Sequence, residues 1–171
     1  EAIAASRGES FYRGELAERI AAAAAADGGA MTRDDLAAHT SLDVEPLSVR
    51  FRDVLLHELP PNGQGLAALI ALGILERLPL EVHRPDSSES LHLQIEAMKV
   101  GISQARRWVA DPDAVEMPSS LLLGEARLDK LAGRIDPSRA QPLRDLLPTD
   151  HGTVLLVAAD AEGGMVSFIQ S

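Results

Sequence analysis

The chain is expected to be an α+β protein, mainly helical, that ends in a β-hairpin. Three features of its 171 residues predict this. Helical apolar spacing dominates the first two thirds, and the runs TVLLVAA (153–159) and MVSFIQS (165–171) flank a turn containing Gly163-Gly164. Aromatic residues make up 3% of the chain against 46% hydrophobic, so the core must be built from Leu, Ile, Val and Ala.

In order along the chain, Ser10 precedes FYRGELAERIAAAAAAD, where Phe11, Leu16 and Ile20 share part of one helix face. Gly28 or Gly29 can take the left-handed conformation that ends such a helix. Thr32 and Asp35 have the spacing of a capping box at the head of the next one. EPLSVRFRDVLLHELPP (45–61) reads as two short strands around Arg52-Asp53, ended by Pro60-Pro61. NGQG (62–65) leads into LAALIALGILERL, which is apolar almost all round and so expected to be buried on more than one side. Ser88 begins the longest helix, with an amphipathic stripe at Leu91, Ile95, Met98, Ile102, Ala105 and Val109. DPDAVEMP ends it, and short helical pieces are expected in SSLLLGEARLDKLAGRI and PLRDLL. Thr153–Ala159 and Met165–Ser171 form the final hairpin around a turn at 160–164.

A lone hairpin is marginal in water, and this one is apolar on both faces, as in a strand covered on both sides. The chain is therefore expected to be part of a larger sheet whose other strands it does not contain. Apolar surface meant for that sheet can drive self-association of the isolated chain.

Composition narrows the function. A net charge of −10 argues against binding a phosphate backbone, and no long uncharged run suggests a membrane span. The absence of Cys removes thiol catalysis and Cys-based zinc sites. The histidines (His39, His57, His83, His92, His151) include no pair at i, i+4, so neither a metal nor another cofactor is expected. PPNGQG lacks both phosphate-loop patterns and reads as a tight turn. Asp34-Asp35 suits the first turn of a helix, and Asp111 and Asp113 frame a turn at Pro112.

Thr153 stands apart. It follows PTDHG and heads an apolar strand. A chain-terminal Thr can act as a nucleophile with its own α-amine as base, and cutting the Gly152–Thr153 bond would create one. Gly152 offers little hindrance to attack by the Thr153 hydroxyl. On pattern alone, a Thr that merely begins a strand remains open.

Taken in order, FYRGELAERI, DGGAMTRDDLAAH, EPLSVRFRDVLLHELPPNGQGLAALIALGILERL, LHLQIEAMKVGISQARRWVADPDAVEMP and GTVLLVAADAEGGMVSFIQS resemble the gamma-glutamyltranspeptidases across nearly the whole chain. The resemblance implies a precursor of αββα N-terminal nucleophile hydrolase fold that cuts itself into a large and a small subunit. Residues 1–152 would be the mostly helical C-terminal part of the large subunit, and 153–171 the hairpin that begins the small one. It makes Thr153 the nucleophile and Ser171 a hydroxyl that orients it. The family commonly has a second Thr after the nucleophile; Val154 stands there, which implies a divergent subgroup.

The implied substrates are γ-glutamyl small molecules or peptides such as glutathione, with water or an amine as acceptor. The family's substrate-carboxylate Arg and its later binding positions would lie outside this chain, so the chain alone is expected to be inactive. The resemblance suggests a bacterial periplasmic or secreted enzyme, although the chain carries no visible signal. Within the class, a β-lactam acylase or a poly-γ-glutamate hydrolase is an alternative. From another class, the rival is a non-catalytic helical interaction module, in which a longer chain would stay uncut.

Overall fold

A computed structural model describes residues 1–111, 114–115, 118–142 and 154–170. The chain divides into two compact units, Glu1–Val44 and Glu45–Ser171.

The first unit holds four helices: α1 (Ala2–Ala5), α2 (Glu9–Tyr12), α3 (Glu15–Ala26) and α4 (Arg33–Ala38). The helix expected to follow Ser10 is broken between α2 and α3. Gly14 is extended there, and a Cβ at that position would lie 2.9 Å from the Ser10 Cα, so only a residue without a side chain fits the turn. Arg13 ends α2 by donating to Glu9 (3.0 Å) and to the Ala37 carbonyl oxygen (3.0 Å). Tyr12 stacks on His39 at 5.2 Å, which ties α2 to the end of α4.

The capping box of α4 forms as its sequence predicts. The Asp35 N–H donates to the Thr32 hydroxyl (3.2 Å), and the Thr32 N–H donates to the Asp35 carboxylate (2.8 Å). The Thr32 hydroxyl also donates to that carboxylate, and these bonds hold the Asp35 carboxyl below the usual range. A depressed pKa contributes stability above the unfolded value, about 3.9, that is lost as pH falls through the folded one. The protection factors of the α4 amides, taken against the intrinsic exchange rate at each pH, are therefore expected to fall below about pH 4. Thr32→Ala should produce the same loosening at neutral pH, at a cost of about 1 kcal/mol. Hydrogen exchange of the amides in α4 reads both effects.

The second unit begins with the antiparallel strands β1 (Leu47–Phe51) and β2 (Val54–Glu58), with Phe51 opposite Val54. Arg52 turns the chain with φ 58°, a left-handed conformation unusual outside glycine. Its N–H is held by the Glu76 carboxylate (2.8 Å) and its guanidinium by Glu81 (3.0 Å), which pins the hairpin tip. Next comes α5 (Leu66–Leu75), with Leu66, Leu69, Ile70 and Ile74 completely buried, so the all-round apolar helix is a core helix as expected. Beyond it lie α6 (Ser88–Trp108), α7 (Ser119–Leu122) and α8 (Glu125–Ala132). Leu93, Ala97, Leu122, Leu128, Leu131 and Ile135 close the core around α5. Arg77 fastens the end of α5 to α8 through Asp129 and Glu125.

α6 departs from its sequence pattern in one respect. Its buried face is Ser90, Leu93, Glu96, Ala97, Gly101 and Ala105, whereas Leu91, Ile95 and Met98 of the expected stripe are exposed at 47%, 58% and 41%. The cause is close approach to α5. A Cβ at Gly101 would clash with the Ala67 carbonyl oxygen, so the contact selects the small-residue face over the bulkier one. The chain thus has two apolar faces on α6, one covered by α5 and one open.

The final hairpin is β3 (Val154–Ala159) with β4 (Met165–Gln170). Asp160 organises its turn by accepting N–H bonds from Glu162 (3.1 Å) and Gly164 (2.7 Å), and Gly163 takes φ +89°. Leu155 and Val157 on one face, and Leu156 and Phe168 on the other, are all more than half exposed. The α+β class expected from the sequence holds. PLRDLL, apart from Pro142, lies outside the described residues.

Candidate functional site

The residues singled out for chemistry, Gly152, Thr153 and Ser171, lie outside the described residues. The frame next to them is described. The β3–β4 ladder pairs Val154 with Gln170, Leu155 with Ile169 and Leu156 with Phe168, continuing to Ala159 with Met165. The register is unbroken from the Asp160 turn, with no bulge to shift one strand against the other. Alternation puts Leu155 and Val157 on one face and Leu156 and Ala158 on the other. No ionisable side chain lies in either strand, so the ladder supplies geometry rather than acid–base groups.

The other candidates have local explanations. His92 Nε2 lies 2.8 Å from the Asp136 carbonyl oxygen; only a ring N–H can satisfy that acceptor, so Nε2 carries the proton. His39 caps α4, His57 lies in β2, His83 follows a 3₁₀ turn at Leu80–Val82, and His151 lies outside the described residues. Among the described residues no group of three His, Cys, Asp or Glu could hold a metal ion, and no helix is long and apolar enough to cross a membrane. At the start of α5, where a phosphate loop would present backbone N–H groups, the Glu58 carboxylate lies against Gly65. A second anion there would meet like charge, which supports the turn reading of PPNGQG.

Two features carry no clear signal in the sequence. A cleft of about 260 Å³ on α6 and α8 is lined by Arg107, Trp108, Arg127, Lys130 and Arg134, and the Arg107 and Arg127 guanidinium groups lie 5.1 and 5.9 Å from the Trp108 ring. The stacking and a bond from Arg127 to Gln104 (2.7 Å) account for much of its form. The second is Glu96, which is 2% exposed inside α6. Its carboxylate accepts from Lys99 (2.6 Å) and from the Gln141 N–H (3.1 Å), and Lys99 also donates to the Gln141 carbonyl oxygen. An acid three residues before a lysine ordinarily reads as a solvated helix pair; its burial depends on a segment that returns 45 residues later.

Comparison with known proteins gives a consistent result. The family profile for gamma-glutamyltranspeptidase matches residues 1–171. The chain is 30% identical to a glutathione hydrolase proenzyme of Escherichia coli, over 86% of this chain and 26% of that one. It is 37% identical to an oxamate amidohydrolase proenzyme of Klebsiella pneumoniae, over 95% of this chain and 30% of the relative. Among solved structures, a cephalosporin acylase from Bacillus halodurans superposes with a TM-score of 0.75 at 38% identity, over 97% of this chain and 30% of that chain. The chain thus spans less than a third of the length of these relatives.

Proposed function

Because the chain belongs to the gamma-glutamyltranspeptidase family, we propose that it is part of a longer enzyme that cuts itself before Thr153 and then uses Thr153 to transfer or hydrolyse γ-glutamyl groups. Residues 1–152 then close the large subunit, and residues 153–171 open the small one. The observation that carries this reading is the family match across the whole of 1–171, which includes the hairpin immediately after Thr153. The names of the relatives as proenzymes support self-cleavage.

The chemistry follows from a hydroxyl beside a peptide bond. Thr153 Oγ attacks the Gly152 carbonyl carbon, the C–N bond breaks, and the acyl group passes to oxygen as an ester while the Thr153 nitrogen becomes a free amine. Water hydrolyses the ester, leaving a carboxylate at Gly152 and restoring the hydroxyl. In the mature enzyme that amine takes the hydroxyl proton as Oγ attacks the γ-amide of the substrate, and the proton leaves with the departing amine. Water or a second amine then releases the acyl group. The amine must be neutral to act as the base, and its reference pKa of about 7.7–8.0 makes that accessible near neutral pH. Both steps need oxyanion donors, which this reading assigns to other parts of the enzyme.

Ser171 enters through the ladder. The ladder is described as far as Val154 opposite Gln170; this reading extends its register by one residue, which would set Thr153 opposite Ser171. Residues directly opposite in an antiparallel pair have Cβ atoms about 4.5–5.5 Å apart, within reach of a hydroxyl–hydroxyl bond. This supports Ser171 as the group that orients the nucleophile.

A second reading keeps the mechanism and changes the acyl group. The identities of 38% to a cephalosporin acylase and 37% to an oxamate amidohydrolase, together with Val154 in place of Thr, favour an amide hydrolase of a divergent subgroup. Steady-state rates of the full-length enzyme on γ-glutamyl, oxamate and acyl-β-lactam amides decide between them.

The isolated 1–171 chain is expected to have no measurable γ-glutamyl hydrolase activity, because the substrate-binding and oxyanion groups are supplied elsewhere. Hydrolysis by this chain that disappears in Thr153→Ala would overturn that assignment. Intact mass of the full-length protein tests the central claim: two species, one beginning at Thr153, are expected, whereas a single uncut chain contradicts it.

A further inference from the structure

The cleft on α6 and α8 has no place in the chemistry above, and its charge is opposite to that of the chain as a whole. Asp and Glu outnumber Lys and Arg by 26 to 16, yet the lining holds Arg107, Arg127, Lys130 and Arg134 and no acid. Among the described residues none of the four takes part in an ion pair, whereas Arg13, Arg33, Arg52, Arg77 and Lys99 all do. Local stability explains part of this. Arg107 in the last turn of α6 and Lys130 in the last turn of α8 complement the helix dipoles. Each helix end carries only about half a negative charge, so roughly three of the four positive charges stay uncompensated. Stacking accommodates the Arg107 and Arg127 guanidinium groups but sets both cations against one Trp108 ring. Arg127 and Lys130, three residues apart in α8, add a like-charge pair that weakens the helix.

The hydrogen-bonding groups are as one-sided as the charges. Gln104 Oε1, the side-chain acceptor in the lining, is taken by Arg127 (2.7 Å). Trp108 Nε1 and Arg127 Nε are buried with no acceptor among the described residues. A buried donor without a partner is uncommon in a native structure and marks this place as short of acceptors. Such a lining is matched by a ligand rich in anionic oxygen. We propose that the cleft is a binding site for a small polyvalent oxyanion, a molecule with two or more phosphate or carboxylate groups. The valence follows from the layout: the cations come from two helices and, at α8, from successive turns, so one singly charged group does not meet them all. The size follows from the volume. About 260 Å³ falls just below the range of about 300–1,000 Å³ that holds drug-sized ligands, so a small molecule fits better than a polypeptide segment. A cleft of one sign also concentrates such an anion locally, against the repulsion of a chain with net charge −10. The inference stands apart from the self-cleavage reading and uses none of its residues.

The test is isothermal titration calorimetry of the full-length enzyme with pyrophosphate and with citrate, the phosphate and carboxylate probes of the class, in metal-free buffer at constant ionic strength. One-site binding of at least one probe is expected, and acetate at the same ionic strength should not compete. Lys130→Gln/Arg134→Gln should weaken that binding by about tenfold. Both side chains are exposed, so the variant should keep its fold. Arg19→Gln/Arg84→Gln removes the same charge at exposed positions outside the lining and should change binding by less than about twofold. Failure of both probes to saturate a site overturns the proposal. So does equal binding by the two double variants, which would place the anion elsewhere on the enzyme. Equal competition by acetate overturns it as well, because it would mark charge screening without a built site.

Discussion

Substituting Thr153 with Ala in the full-length protein is expected to abolish conversion to two chains and to remove amide hydrolysis, each by more than about a thousandfold. The two losses share one cause. In the proposed mechanism the same oxygen attacks first the Gly152 carbonyl and then the substrate amide, and removing an attacking nucleophile costs far more than removing a group that assists it. Thr153→Ser keeps the oxygen without the methyl group and should cut itself, more slowly. Hydroxylamine opens esters faster than water does, so adding it should speed conversion of the Ser variant if an ester intermediate accumulates. Intact mass follows every arm. An Ala variant that still yields a chain beginning at residue 153 would assign the cut to another agent. An Ala variant that stays whole yet hydrolyses amides would assign catalysis to another residue. Either result contradicts the single-nucleophile scheme, and the second would leave the family match without its expected chemistry.

How much of this was legible in the sequence varies with the range of the forces involved. Local rules served well where one segment decides its own structure. The capping box at Thr32 and Asp35, the turn at Arg52-Asp53 and the hairpin around Asp160 all formed where their residues placed them. The all-apolar stretch of α5 could only be a buried helix. Periodicity was a poorer guide for α6, because it detects an apolar face without saying what covers it. Leu91, Ile95 and Met98 make the stronger stripe, yet Leu93, Ala97 and Gly101 meet α5 because small side chains let two helix backbones approach. The expected helix past Ser10 broke at Gly14 for a related reason, a close backbone contact that no periodicity scale records. Thr153 is singled out by its context and proposed as the nucleophile on the ordered family resemblance rather than on spacing, and it lies outside the described residues. Glu96 gave no signal, since its burial is conferred by a loop 45 residues away.

The apolar surfaces bear on the same question of what the chain is built to meet. Leu91, Ile95 and Met98 on α6, and Leu155, Leu156, Val157 and Phe168 on the β3–β4 hairpin, form exposed apolar surface of the kind that marks an interaction site. Both fit a chain whose relatives are more than three times its length. The α5–α6 core is closed by residues of this chain, while the described side chains of the hairpin that follows the proposed nucleophile are exposed on both faces.

The second large effect concerns that core. Gly101→Ala is expected to destabilise the second unit, although alanine is the better helix former by about 1 kcal/mol. The opposing term is steric. A Cβ at 101 points at the Ala67 carbonyl oxygen and at the Ala71 Cβ, at 3.4 Å. The carbonyl belongs to the α5 backbone and cannot rotate away, so the two helices must separate along their contact. Overpacking of this kind costs about 1–3 kcal/mol and occasionally more. The net loss for Ala is then about 0–2 kcal/mol, and Gly101→Val adds two methyl groups without the propensity gain, so it should exceed 3 kcal/mol. Gly73→Ala provides the control. Its Cβ would meet the Leu128 Cδ1 and Cδ2 atoms at 2.8 and 3.1 Å and the Val49 Cγ2 at 3.3 Å, all of them ends of side chains that can shift. The same helix-propensity gain applies, so Gly73→Ala should lie above Gly101→Ala by at least about 1 kcal/mol, or about 2–4 °C in Tm for a chain of this size. Thermal unfolding of the three variants reads the order directly. If Gly101→Ala proved as stable as Gly73→Ala, the α5–α6 approach would be looser than the structure has it, and the small-residue face of α6 would need another explanation.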